Sequence, residues 1–351
     1  KRKGGLEKYY HRLVGGMTER GYAQEFAESI FEQIKGFSEY GFPESHAASF
    51  ALLVYASAWI KRHEPAAFLV ALLNSQPMGF YTPSQLVQDA RRHGVEVRPV
   101  DVVHSAVEST LEDLHNTPAV RLGLHLVQGL PAASAARIVA ERAVAPFDST
   151  EALARRARLE QHEMRLLAAA GALAPLAGHR RQQVWEAAAL HAPPALLQDA
   201  PVDEEFLALP AAPEGEEVLW DFASVGLTLR SHPLALLRPQ LERYRARTSA
   251  QLQHVRDGRW VRTVGMVTLR QQPPTAKGTV FVSLEDEHGS TQVIVWRHVK
   301  EAQRQVLLGA RLLLVQGRWQ REGAVCNLIA HRLWDLSPLL GRLATQSRDF
   351  R

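Results

Sequence analysis

The sequence predicts an α+β chain of several domains, mostly helical over its N-terminal two thirds and ending in a β-barrel. Three observations carry this reading. Apolar residues recur at helical spacing through residues 1–75 and again through 119–191. Residues 192–233 then reverse the charge, with eight acids against the single base Arg230, and with five prolines by Pro213 the first half of this segment reads as a linker crossing the surface. From Trp260 onward the pattern becomes strand-like alternation broken by glycine turns. At 351 residues the chain exceeds twice the ~150 residues typical of one domain, so two to four domains are expected.

Taken in order, "AQEFAESIFEQIKGF" sets Phe26, Ile30, Phe31 and Ile34 on one helical face and ends at Lys35-Gly36. "SEYGFPESH" reads as a turn, with Ser45 placed to cap a helix over residues 47–62. His63-Glu64-Pro65 breaks that helix, and residues 66–74 make a short one. "TPSQLVQDARRHGVEVRPVDV" is a helix, a stop at Gly94 and a short strand. Residues 119–191 carry nine Arg against six acids and are interrupted by "VQGLP" and "AAGAL". The last part gives three strands ("WVRTVGMVTLR", then two about the acidic turn of "VFVSLEDEHGSTQVIVW"), the helix "RHVKEAQRQVLL", and a hairpin turning near Glu322-Gly323. Five strands in the order β-β-β-α-β-β have the connectivity of an OB-fold barrel.

A net charge of +4 and a pI near 9.3 lean toward a polyanionic partner, and residues 258–334 alone hold eleven Lys/Arg against five acids. The single cysteine, Cys326, rules out an internal disulfide or a multi-cysteine zinc site and fits a reducing, cytoplasmic compartment. No uncharged apolar run approaches the ~20 residues of a membrane span, and "KRKGG" is not a signal peptide, so no membrane partner is expected. A start without Met reads as a piece of something longer. The 15 histidines show no HExxH, there is no phosphate-binding Gly-Lys-Ser/Thr loop, and no carboxylate cluster resembles a two-metal site. Neither a catalytic nor a metal site is expected in this chain. Ser45 and His46 suggest a dyad, but adjacent residues on a helix do not face one another.

The two interruptions have the form of helix-hairpin-helix turns, in which a helix start offers free backbone N–H groups to a DNA phosphate without reading bases. In "LVQGLPAASAARIVAER", Gly129 turns, Leu130 follows, Pro131 opens the next helix, and Arg137 and Arg142 come after. In "HEMRLLAAAGALAPLAGHRR", Gly171 turns, Ala172 follows, and Arg180 and Arg181 supply charge. For either copy alone, a plain α-hairpin with glycine caps is an equal alternative; two copies favour phosphate gripping. On the barrel, Arg270 and Lys277 in the first loop, Phe281 and Trp296 on the sheet, and Arg318, Trp319 and Arg321 near the last hairpin are candidates to hold a single strand or a partner protein. The alternative places Phe281 and Trp296 in the barrel core.

"YGFPESHAASFALLVYASAWIKRHEPAAFLVALLNSQPMGFY", "RIVAER" with "LLAAAGALAPLAGHRRQQVWEA", "SVGLTLRSHPLALLRP" and "GMVTLRQQPPTAKGTVFVSLEDEHGSTQVIVW" together resemble the C-terminal portion of bacterial C-family DNA polymerases, the DNA polymerase III alpha subunits. The wording of "GFPESHAASFALLVYASAW" and the ending "SRDFR" look like their error-prone ImuC-type branch. The resemblance implies an end of the fingers over 1–116, tandem helix-hairpin-helix over 117–191, an acidic connection over 192–257, the barrel over 258–336 and a tail over 337–351. It places Ser45 and His46 at a helix start leaning toward the nucleotide pocket. Catalytic carboxylates and their Mg2+ would lie in a palm domain before this chain, which alone would be inactive. The implied partners are primer-template DNA, an ImuB-like Y-family protein and a RecA-like accessory protein. No good clamp-binding box appears between 192 and 225, so the sliding clamp would be reached indirectly.

Overall fold

The structure, a computed structural model, describes residues 9–40, 44–79, 81–114, 117–189, 208–323, 325–341, 343 and 348–350. Residues through Phe68 form one compact unit and residues from Leu69 form another.

In the first unit, α1 (Tyr10–Thr18) packs on α2 (Gln24–Tyr40) through Val14, Ala27 and Phe31. The Tyr10 ring meets Phe31 edge-on at 5.0 Å, and its hydroxyl donates to Glu28 at 2.9 Å. Phe26, expected on the buried face, is exposed and stacks on Tyr22; the face is centred one residue later, on Ala27 and Phe31. The helix also runs on past Lys35-Gly36 to Tyr40. α3 (Glu44–His63) starts earlier than expected, so Ser45 falls inside its first turn instead of capping it. α4 (Pro65–Asn74) begins at its proline, where a missing N–H costs nothing.

In the second unit, the end of α4 buries Leu69 and Leu73, and the Asn74 amide bonds both Ser109 backbone groups at 2.9 Å. α5 (Pro83–Arg92) is opened by a Thr82–Gln85 capping box and stopped at Gly94. A three-stranded sheet follows, ordered β1 (Val97–Arg98), β3 (Thr117–Arg121), β2 (Thr110–Leu114). This corrects the helical expectation from 119: Val120 and Arg121 pair in parallel with Val97 and Arg98, and Arg121 bonds Glu112 at 2.7 Å. Tertiary pairing overrides the local alanine-rich composition. The expected boundary at 116/117 falls inside the β2–β3 hairpin.

Helices α6 (Ala132–Val144), α7 (Thr150–Arg156), α8 (Gln161–Ala169), α9 (Ala174–Ala177) and α10 (Arg180–Ala189) form the helical block. Of the stretch read as a linker, residues 192–207 lie outside the described residues; the rest of the acidic connection is folded. It forms α11 (Glu214–Ser224), α12 (Pro233–Leu241) and α13 (Ser249–Leu252), with Glu217 and Asp221 buried. α12 packs Leu234 and Leu241 on Val264, Met266, Leu312 and Leu314 of the barrel's outer wall.

The barrel contains β4 (Trp260–Gln271), β5 (Val280–Glu285), β6 (Ser290–Val295), α14 (Arg297–Ala302), α15 (Arg304–Gly309), β7 (Leu312–Glu322) and β8 (Val325–Asp335). The order β5-β6-β8-β7-β4 closes through β4–β5, and the short β9 (Arg348–Phe350) adds to β4. β4 serves both neighbours, pairing with β7 over Trp260–Met266 and with β5 over Met266–Gln271, the latter ladder interrupted by an irregularity at Val267/Leu269. The expected single helix between the third and fourth strands is broken in two at Gln303. The closed five-strand barrel has the OB-fold connectivity, with alternate residues such as Val280, Val282, Leu284, Val293 and Val315 filling it.

Candidate nucleic-acid interface

The first hairpin turns at Gly129, whose φ of +82° suits glycine, and leads into α6. The helix before it is a single 3₁₀ turn, Leu124–Leu126. Ser134 and Ala135 donate back to the Pro131 carbonyl, whereas the N–H groups of Gly129, Ala132 and Ala133 have no hydrogen-bond partner among the described residues, and all three residues are exposed. Two unpartnered amides on the exposed first residues of a 13-residue helix, with that of Gly129 just before it, offer donors to an anion. Leu130 uses its amide on Val127 and is half-buried. Arg137 stays partly exposed but is engaged internally: it donates to the carbonyls of Ala157 (2.8 Å) and Arg158 (3.2 Å), pinning the α7–α8 turn onto α6. Arg142 is likewise spent on the Val102 carbonyl at 2.8 Å. Exposed charge is supplied instead by Arg155, Arg158 and Arg165, which sequence reading passed over; Arg165 adjoins Leu166, whose side chain faces Gly129.

The second hairpin repeats the turn, with Gly171 at φ +73°, but its amides are used internally. Gly171 donates to Ala168, Ala172 to Leu167, Leu173 to the Gln183 side chain and Ala174 to Gly171, all within 2.9–3.3 Å. Ala172 and Leu173 are fully buried. Arg180 is 6% exposed and clasps Asp221 at 2.5 Å and the Glu217 carbonyl at 2.9 Å, so it faces α11 instead of solvent. Arg181 is partly exposed and paired with Glu216 at 2.7 Å. The outward phosphate role read for Ala172 and Arg180 is thus corrected by burial.

On the barrel, Arg270 is buried, donating to the Leu307 and Ala310 carbonyls at the end of α15, and Trp319 lies in the core. Neither is available to a ligand in this arrangement. Lys277 is exposed in the β4–β5 loop, and Trp296 is exposed just before α14. Arg321 is exposed, with its guanidinium reaching the Gln253 carbonyl. Phe281 alternates with the core valines of β5 and so lies on the outer wall. Strand register then lines up one row across the wall: Phe281, Ile294, Ile329, Arg318 and Trp260. Trp260, 59% exposed, meets the exposed His331 edge-on at 5.3 Å. Trp260, Ile294, Ile329 and His331 went unnoticed in the sequence because only the register assembles them. An exposed aromatic, a cation and apolar positions in one row suit stacked bases and a following backbone.

The acidic turn "EDE" is structural. Asp286 accepts from the Ser249 amide (2.6 Å) and hydroxyl (2.5 Å), and Arg238 pairs with Glu287 at 2.5 Å, holding α12 and α13 on the barrel. Between them, His232 Nδ1 accepts from the Leu234 amide at 3.2 Å, leaving Nε2–H toward Glu285 at 3.9 Å. Burial lowers the His232 pKa to about 4 and raises that of Glu285. The Ser45 and His46 side chains lie outside the described residues.

A family model described as a helix-hairpin-helix motif matches residues 94–183. Along its entire length the chain is 56% identical to the error-prone DNA polymerase of Azoarcus sp. strain BH72, 56% to that of Burkholderia pseudomallei and 53% to that of Alkalilimnicola ehrlichii. The chain is homologous, end to end, to one region of these polymerases. It spans about a third of their length, 34%, 33% and 34% respectively. The matched motif begins at Gly94, so it takes in the small β-sheet as well as both hairpins. Among the described residues, no helix is long and apolar enough to cross a membrane.

Proposed function

We propose that this chain is the DNA-holding C-terminal region of an error-prone DNA polymerase of the ImuC type. The first hairpin grips backbone phosphates of the primer-template duplex, and the outer row of the barrel takes the single-stranded template. The observation that carries this is the trio of unpartnered amides at Gly129, Ala132 and Ala133, inside a region that matches a helix-hairpin-helix model and aligns with error-prone polymerases. The same reading assigns polymerisation and its Mg2+ to a part of the longer protein outside this chain. It also assigns docking to ImuB-like and RecA-like partners, with the sliding clamp reached through the former; similarity to error-prone polymerases is the support for this.

The test is fluorescence anisotropy with labelled primer-template, duplex and single-stranded DNA over a salt series. Phosphate gripping predicts preference for duplex-containing DNA and an affinity that falls steeply with salt, by about 0.9 in log K per log salt for each phosphate neutralised. Negligible binding to any of the three at low salt would overturn the reading and leave protein docking as the role of the barrel.

A further inference from the structure

We propose that Arg262, Arg332 and Arg243 form a phosphate track on the barrel wall, carrying the backbone of a single DNA strand beside the row from Phe281 to Trp260. The proposal rests on reading that row as the seat of the single-stranded template. Two residues along β4 and β7 from Trp260 and Arg318, strand register sets Arg262 beside Gln316 and Gln316 beside Arg332. The row after that, Val264 and Leu314, lies under α12, so the arginines stand between the covered wall and the base row. Alternate residues of a strand are about 7 Å apart, so a strand whose bases lie on the first row has its backbone within reach of the second.

These arginines are held by rings and not by acids. The Arg262 and Arg332 guanidiniums lie over the Trp334 ring, 5.7 and 5.0 Å from its centroid, and that of Arg243 lies over Tyr244 at 4.8 Å. Both rings pack at the edge of the apolar cluster under α12. Arg262 also donates to the Gln316 side-chain oxygen at 3.1 Å, and Arg243 to the Tyr244 hydroxyl at 2.9 Å. All three arginines are exposed, and among the described residues none has a carboxylate partner. Asp335, next to Trp334 in the chain, instead accepts from the Ser337 amide at 2.8 Å. Other arginines that reach solvent, Arg98, Arg230 and Arg297, are paired with glutamates at 2.7–2.8 Å. Stacking fixes the flat face of a guanidinium and leaves edge N–H groups for phosphate oxygens. Two like charges gathered on one ring also repel, and a bound anion relieves that repulsion. An acidic protein would meet the same charges; the adjoining base row favours DNA.

The test is binding of a labelled dT oligomer of about 16 nucleotides to the 351-residue chain over a salt series. The slope of log K against log salt should be shallower than the parent's by about 0.7 in each of Arg243→Gln, Arg262→Gln and Arg332→Gln, and by about twice that when the last two are combined. Arg332→Lys keeps the charge and should keep the slope. Trp260→Ala, in the base row, should weaken binding and leave the slope unchanged. Slopes equal to the parent's in all the glutamine variants, with the oligomer still bound, would overturn the track, leave the base row standing and assign the arginines to an acidic protein. No binding of the oligomer by the parent would overturn the single-strand reading and the track with it. Where a variant folds poorly, phenylglyoxal labelling of the unsubstituted chain examines the same arginines. Bound oligomer should slow modification of Arg262 and Arg332, and equal rates with and without it would overturn the track.

Discussion

The two hairpins share a glycine in a left-handed turn followed by a helix start, and they use it in opposite ways. After Gly129 the helix start is exposed and three amides have no partner. After Gly171 every amide of the turn has an acceptor, Ala172 and Leu173 are buried, and the following arginine is locked onto α11. What separates them is the neighbourhood, not the motif. Gln183 supplies a side-chain acceptor to Leu173, and Asp221 and Glu217 neutralise Arg180, whereas nothing described covers the start of α6. A helix-hairpin-helix turn can therefore serve as a DNA grip or as a packing joint, depending on whether another element brings acceptors to it.

The largest test of that contrast is Arg180→Ala. It removes the buried cation between Asp221 and Glu217 and leaves them only the half-exposed Arg230, so the cost falls below the about 3–5 kcal/mol of fully unpairing a buried ion pair while staying the largest of these tests. Thermal unfolding should show a large drop in Tm, while the salt slope of DNA binding by the still-folded protein stays the same. A salt slope reduced by one phosphate, with little loss of stability, would mean that Arg180 faces DNA after all.

A milder test is acid, which acts where α12 meets the barrel. α12, which follows α11, starts at His232, neutral in the fold because burial lowers its pKa to about 4. Above pH 6.5 neither the folded nor the unfolded chain is protonated there, so its contribution is constant. As pH falls from 6.5 toward 4, only the unfolded chain takes up the proton, so stability falls, by up to about 3 kcal/mol. Glu285, whose pKa burial raises, opposes this near the carboxylate range by binding a proton more readily when folded. In His232→Asn, which keeps an acceptor for the Leu234 amide, denaturant midpoints should lose this dependence; an unchanged pH profile would exclude His232 as its source.

Much of this was legible from residues alone. The barrel's strand order, the Gly94 stop and both turn glycines follow from alternation and from φ requirements local to a few residues. Of the small sheet, the short strand after Gly94 was expected, but β3 was missed because Ala119 and Val120 are too short a run to override the alanine-rich texture around them, and only pairing with β1 decides their state. The direction of each arginine was also not legible. Arg137, Arg180 and Arg270 look like surface cations in sequence, but each turns onto carbonyls or carboxylates supplied from 20 to 41 residues away. The row from Phe281 to Trp260 needs the barrel to close before it exists at all.

The finest test compares the glycines directly. Gly129→Ala and Gly171→Ala both place a side chain at positive φ, costing about 1–2 kcal/mol each. A Cβ at Gly129 meets only Leu166, at 3.4 Å, whereas one at Gly171 comes within 2.9 Å of the Arg180 guanidinium, so Gly171→Ala should be the less stable of the two. DNA affinity should move the other way. Relief of the strain at residue 129 shifts the unpartnered amides around the start of α6 relative to one another, so duplex affinity should fall on the order of tenfold for Gly129→Ala, the loss of one charge-assisted hydrogen bond or so. Folded Gly171→Ala should bind as the parent does. Equal losses of affinity in both variants would show that the second hairpin also holds DNA, and that its internal hydrogen bonds open when it does.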